Sequence, residues 1–93
     1  MREKDLERKL VNAAKAVGGL APKFTSPGMA GVPDRLILLP VGRMAFVEVK
    51  AVGCSPRPLQ LARHQQLRRL GFKVYVLDRP EQIQQILEGI ANG

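Results

Sequence analysis

Two short apolar runs, Leu36-Ile37-Leu38-Leu39 and Ala45-Phe46-Val47-Glu48-Val49, lie on either side of Pro40-Val41-Gly42-Arg43. Runs of this length are too short for helices, and the punctuation between them is that of a tight reversal. The segment therefore reads as a β-hairpin with strands Arg35–Leu39 and Met44–Val49. Leu36 to Leu39 does not alternate apolar with polar residues, which predicts strands buried on both faces and central in a sheet covered by helices. A hairpin cannot supply that cover, so the rest of the chain must.

The flanking sequence has the right periodicities. From Glu3 to Val17, the residues Leu6, Leu10, Ala13, Ala14 and Val17 recur at three- and four-residue spacing, one face of a helix that Gly18-Gly19 ends. Residues 20–25, with Phe24, predict a short strand, and Ser26 to Pro33 an ordered loop. After a turn-rich stretch from Gly53 to Pro58, a helix runs from about Pro58 to Leu70, with Pro58 suited to its first turn and Gly71 as its stop. Lys73 to Leu77 predicts another strand. Pro80 to Ile90 predicts a final amphipathic helix with Ile83, Ile86, Leu87 and Ile90 at helical spacing. The order α-β-β-β-α-β-α predicts an α/β fold, a central mixed β-sheet flanked by helices. At 93 residues it forms one domain, 1–93, whose thin core leaves apolar surface that a dimer interface could cover.

Glu48 breaks the apolar pattern of its strand, where an unpaired carboxylate is costly to bury. Lys50, two residues on, projects to the same side and can pair with it, as can a divalent cation. The hairpin sets Asp34, just before the first strand, beside Glu48, and two adjacent carboxylates repel unless a cation lies between them. Oxygen ligation of this kind suits Mg²⁺ or Mn²⁺, with the carbonyl of Val49 as a further ligand. Glu7 falls with Leu10, Val11 and Ala14 along the rim of the first helix's apolar face. It is the third acidic candidate, direct or through water, with Glu3 as its substitute one turn earlier. Plain alternatives stand beside each reading: a structural ion pair for Glu48 and Lys50, a turn residue for Asp34, a solvated first-turn acid for Glu7.

Charge points the same way. Fifteen Lys and Arg against eight Asp and Glu, net +7, favour a polyanionic partner. Lys23, Arg35, Arg43, Arg57 and Arg63 are the candidate phosphate contacts, followed by Arg68, Arg69 and Lys73. With three Phe, one Tyr and no Trp, there is no aromatic surface for stacking single-stranded bases. Backbone geometry is thus the expected object of recognition. His64, one helical turn after Gln60, could point toward the same cleft but reads as structural or solvated, not catalytic. Cys54, the only cysteine, excludes an intrachain disulfide and a cysteine-rich zinc site. With no apolar run long enough for a signal or a membrane span, the default location is cytoplasmic.

Gly31-Val32-Pro33-Asp34-Arg35 followed by Phe46-Val47-Glu48-Val49-Lys50 resembles the PD-(D/E)XK nuclease superfamily, and specifically a stand-alone VRR-NUC (virus-type replication-repair nuclease) domain. The likeness covers most of the chain: Glu7-Arg8-Lys9-Leu10 resembles the first-helix motif, Lys23-Phe24 and Ser26-Pro27-Gly28 the approach to the Pro-Asp, and Leu59-Gln60 with Leu67 and Gly71 the later helix. The resemblance implies the restriction-endonuclease-like fold, divalent-metal phosphodiester hydrolysis and action on DNA. Asp34, Glu48, Lys50 and Glu7 would be its catalytic set and Gln60 an auxiliary active-site residue. Stand-alone members are similar to homodimeric Holliday-junction resolvases, which implies branched duplex DNA and a second copy of the chain as partners. A flap-, nick- or end-directed nuclease and a non-catalytic DNA-binding scaffold are the competing readings.

Overall fold

Leu6, Leu10 and Ala14 follow one another at helical spacing. In the computed structural model, which describes residues 1–93, all three are fully buried on one face of helix α1 (Glu3–Ala16). Glu3 and Asp5 stand in its first turn and Lys15 in its last, each charge complementing the end of the helix dipole it faces. The chain leaves α1 through a Schellman turn. The Gly19 amide donates to the Ala14 carbonyl at 2.8 Å and the Gly18 amide to the Lys15 carbonyl at 3.0 Å, with Gly18 at φ +85°.

The hairpin forms as its sequence predicts. Strands β1 (Arg35–Leu39) and β2 (Arg43–Val49) are antiparallel, with Arg35 opposite Val47 and Leu39 opposite Arg43. The three-residue turn Pro40–Gly42 joins them, and within it Val41 adopts φ 58°, ψ 32°. That left-handed conformation is disfavoured for a β-branched residue. Strand β3 (Val74–Leu77) lies parallel to β2, so the mixed sheet has the order β1-β2-β3 with β2 in the centre. A parallel neighbour needs a crossover, and helix α2 (Pro58–Arg69) supplies it.

Alternation along the strands sends Ile37, Leu39, Ala45, Val47, Val49 and Leu77 to one side of the sheet. There they form a single core with α1 and with Ile83, Ile86, Leu87 and Ile90 of helix α3 (Ile83–Ala91). The other face differs from expectation. Its cover is partial: Leu38 is 38% exposed, while Leu36, Met44 and Phe46 are half-buried. The reason lies in α2, whose leucines Leu59 and Leu61 are exposed and whose buried side chains are Gln60 and His64. A helix without an apolar stripe covers only the part of the sheet that offers it polar partners. Phe24 and Phe72 flank Phe46 at ring-centroid distances of 5.7 and 5.8 Å and shelter the middle of this face.

Residues 20–25 run antiparallel to β1, yet they make two isolated bridges, Leu20 with Leu38 and Lys23 with Arg35, where a strand was expected. Pro22 is the cause. Leu36 donates to the Pro22 carbonyl at 3.0 Å, but the returning ladder bond needs an amide hydrogen that proline lacks. Cys54 is exposed and unpaired. No helix is long and apolar enough to cross a membrane.

Candidate active site

One step beyond the ladder pair Arg35 and Val47, the hairpin register sets Asp34 across from Glu48 at the carboxyl end of β2. The loop before Asp34 is clamped onto the start of α2. Gly31, at φ +82°, lies so close to it that a Cβ would stand 2.9 Å from the Leu59 carbonyl oxygen, and Arg63 Nε donates to the Ala30 carbonyl at 2.9 Å. Glycine is therefore required in Gly31-Val32-Pro33-Asp34 by both conformation and space. Asp34 is then fixed from β2, whose Val49 amide donates to its Oδ1 at 3.0 Å. In an extended strand the Val49 carbonyl leaves the same edge as its amide, so it too faces Asp34.

Glu48 is 3% exposed, and three side chains surround its carboxylate. Gln60 Nε2 donates to Oε2 at 3.2 Å, while its Oε1 accepts the Arg57 amide at 2.9 Å and so caps α2. Lys50 Nζ stands 3.7 Å from Oε2, its side chain 16% exposed. His64 Nε2 stands 3.6 Å from Oε1, with its ring fully buried. Oε1 and both His64 nitrogens lack hydrogen-bond partners. Burial, then the nearby Asp34 charge, push the Glu48 carboxyl up to about 7, against the opposing pull of Lys50. Asp34 is also raised, by burial and by the charges of Glu7 and Glu3, although the Val49 hydrogen bond opposes the shift. Burial lowers His64, with Arg68 and Lys50 reinforcing the effect, so the imidazole is neutral at pH 7.

Of the residues singled out from the sequence, Asp34, Glu48, Val49, Lys50 and Gln60 come together, and Glu7 does not join them directly. Its Oε1 is held by the Arg35 guanidinium at 3.3 Å. No group of three His, Cys, Asp or Glu side chains is close enough to hold a metal ion. Glu7, expected to reach a cation directly or through water, stands beside the site, paired with Arg35 and close enough for its charge to act on Asp34. Arg35, expected as a phosphate contact, turns its guanidinium inward onto Glu7 and, at 2.8 Å, the Ala21 carbonyl. Lys23, Arg43 and Arg57 are exposed, and Arg63 is tied to Ala30 and, at 2.6 Å, to Gln66. Arg43 begins β2, about 17 Å along the strand from Glu48. There it lines, with Phe72 and Lys73, a cleft of about 220 Å³ remote from the carboxylates. His64 was legible in the sequence as a neighbour of Gln60 on one helix face; its contact with Glu48 was not.

No family model matches the chain. A protein of Acyrthosiphon pisum secondary endosymbiont phage 1, described as "Putative nuclease p44", is 51% identical over 78 residues, 84% of this chain and 84% of its own length. Among solved structures, one described as "VRR_NUC domain" is similar with a TM-score of 0.85 at 31% identity, covering 95% of this chain and 97% of the other.

Proposed function

The chain belongs to the VRR-NUC family of nucleases and has its restriction-endonuclease-like fold, and on that premise we propose that it is a divalent-metal-dependent DNA endonuclease selective for branched duplexes such as Holliday junctions. The observation that carries the metal dependence is the facing pair of carboxylates, Asp34 and the buried Glu48. Two carboxylates and the Val49 carbonyl are an all-oxygen donor set, and Mg²⁺ or Mn²⁺ is commonly held by one or two carboxylates with waters completing its shell. Asp34, Glu48 and the Val49 carbonyl would hold the cation, and Glu7 would reach it only through water.

When bound, such a cation polarises the scissile phosphate and lowers the pKa of an attacking water. The rest falls to the chain's own groups. Gln60 restrains Glu48 from one side, and the Val49 amide restrains Asp34 from the other, so both carboxylates are partly ordered before the substrate arrives. Lys50 stands beside Glu48 and partly open to solvent, placed to stabilise the negative charge on the non-bridging phosphate oxygens as water adds and the bond to the leaving sugar oxygen breaks. Exposed Lys23, Arg43 and Arg57 supply backbone contacts to DNA. The partly covered sheet face, with Leu36, Leu38, Met44 and Phe46, offers apolar surface to a second copy. Two sites related by a twofold axis would suit paired cuts in a four-way junction.

The test is incubation with Mg²⁺ or Mn²⁺ and labelled four-way junction, flap, nicked and linear duplexes, with Lys50→Ala as control. Paired symmetric incisions in the junction by the wild type alone are expected. Preference for linear ends or flaps would overturn the junction selectivity. Absence of cleavage on every substrate would favour the DNA-binding scaffold and overturn the enzyme.

A further inference from the structure

Helix α2 buries two polar side chains against the sheet, and both reach the same carboxylate. Gln60 takes Oε2 of Glu48 through a 3.2 Å hydrogen bond. His64, one helical turn on, faces Oε1 at 3.6 Å, just outside hydrogen-bond length. The imidazole is fully buried with neither nitrogen bonded, and Oε1 is buried without a partner as well. A polar group left unsatisfied in a protein interior destabilises the fold. Two that face one another a few tenths of an ångström too far apart have an evident way to satisfy both.

We propose that His64 is a positioning residue for Glu48: its Nε2–H closes onto Oε1, so that α2 grips both carboxylate oxygens and fixes the plane in which Glu48 presents its remaining lone pairs toward Asp34. The inference rests on Glu48 being a metal ligand, as proposed above. A ligating carboxylate with one oxygen held by Gln60 can still rotate about that bond. A second donor on the other oxygen removes the rotation, and outer partners of this kind commonly change metal affinity by about 10- to 100-fold. A space-filling histidine would have no need of a nitrogen at this position. Leucine would fill the same space and remove the polar atoms that the core otherwise has to satisfy.

His64 is the only histidine, so its ring resonances in a long-range ¹H–¹⁵N spectrum need no assignment. The metal-free protein at pH 9, where Glu48 is ionised, is expected to show the Nε2–H tautomer, and Mg²⁺ is expected to shift the Nε2 resonance. An Nδ1–H tautomer, or no response to a cation that binds, would overturn the proposal. Two variants extend the test through calorimetric titration with Mn²⁺. His64→Leu is expected to bind Mn²⁺ about 10- to 100-fold more weakly while melting no lower than wild type. His64→Gln, whose amide reaches about as far as Nε2, is expected to recover most of that loss. Equal losses in both variants, or wild-type affinity in His64→Leu, would overturn it. If His64→Leu fails to fold, the tautomer and the His64→Gln titration decide. Asp34→Ala is titrated alongside: a wild type that binds no Mn²⁺ overturns the metal reading and this inference together, whereas Mn²⁺ bound by wild type, lost in Asp34→Ala and kept in His64→Leu, removes only the role of His64.

Discussion

The two faces of the β-sheet are built from opposite materials. On one, α1 and α3 bury Leu6, Leu10, Ala14, Ile83, Ile86, Leu87 and Ile90 against β-branched and aliphatic residues. On the other, α2 buries Gln60 and His64 against Glu48 and leaves Leu59 and Leu61 exposed. The first face gains stability from area removed from water. The second gives up that gain to hold a charged side chain in one orientation. Because strand side chains alternate, β2 serves both faces at once, with Val47 and Val49 on the first and Glu48 on the second.

The division is open to a direct test, starting with the largest expected effect. Leu10→Ala, on the apolar face, should lower unfolding stability by about 2–5 kcal/mol, read from urea denaturation, with the Mn²⁺ affinity of the folded fraction unchanged. Glu48→Gln, on the polar face, should do the reverse: no loss of metal-free stability at pH 8 and a fall in cleavage of about 10²–10³-fold. If Glu48→Gln unfolded the protein as Leu10→Ala does, the two faces would not be separate in function.

A pH titration sharpens the same contrast. The Glu48 carboxyl is raised from 4.5 to about 7 in the folded chain, so without metal the native state holds a proton that the unfolded state has released. Its contribution is fully present below pH 4.5 and is lost as pH rises through about 7, on the order of 3 kcal/mol over that window. Asp34 is shifted in the same direction. Metal-free wild type should therefore become less stable from pH 5 to pH 8, and Glu48→Gln should flatten the curve. A cation must displace that proton, so Mg²⁺ affinity should climb across the same range. A metal-free protein whose stability rose from pH 5 to pH 8 would contradict this account.

The smallest effect lies in the hairpin turn, at the other end of β2 from Glu48. Val41 is 90% exposed and holds φ at 58° in the hairpin turn. Val41→Gly should raise stability by about 1 kcal/mol, seen as a small upward shift in the melting temperature with cleavage unaltered. A decrease would mean that the turn is held by something other than its backbone conformation.

Much of this was legible beforehand, for reasons that differ from element to element. Leu6, Leu10 and Ala14 announced α1 because helical spacing is a local property, and Gly18-Gly19 marked its end because the closing turn needs a left-handed residue there. Asp34 and Glu48 could be paired because a short turn leaves few registers open. Pro22 was present in the sequence from the start, yet its effect on residues 20–25 depended on which amide faced β1. The incomplete cover of the second face could not be read from the strands, since Leu36-Ile37-Leu38-Leu39 has the same hydrophobicity whether or not a helix lies over it.

The chain by itself determined the hairpin, its register and therefore the facing carboxylates, together with the lysine two residues on. These rest on contacts between near neighbours, where propensity, turn length and strand alternation leave little choice. Tertiary packing alone decided that Glu7 pairs with Arg35, 28 residues away, and that Gln60 holds one oxygen of Glu48 while His64 faces the other. A long polar side chain has several partners within reach, and which of them it meets depends on how separate elements dock.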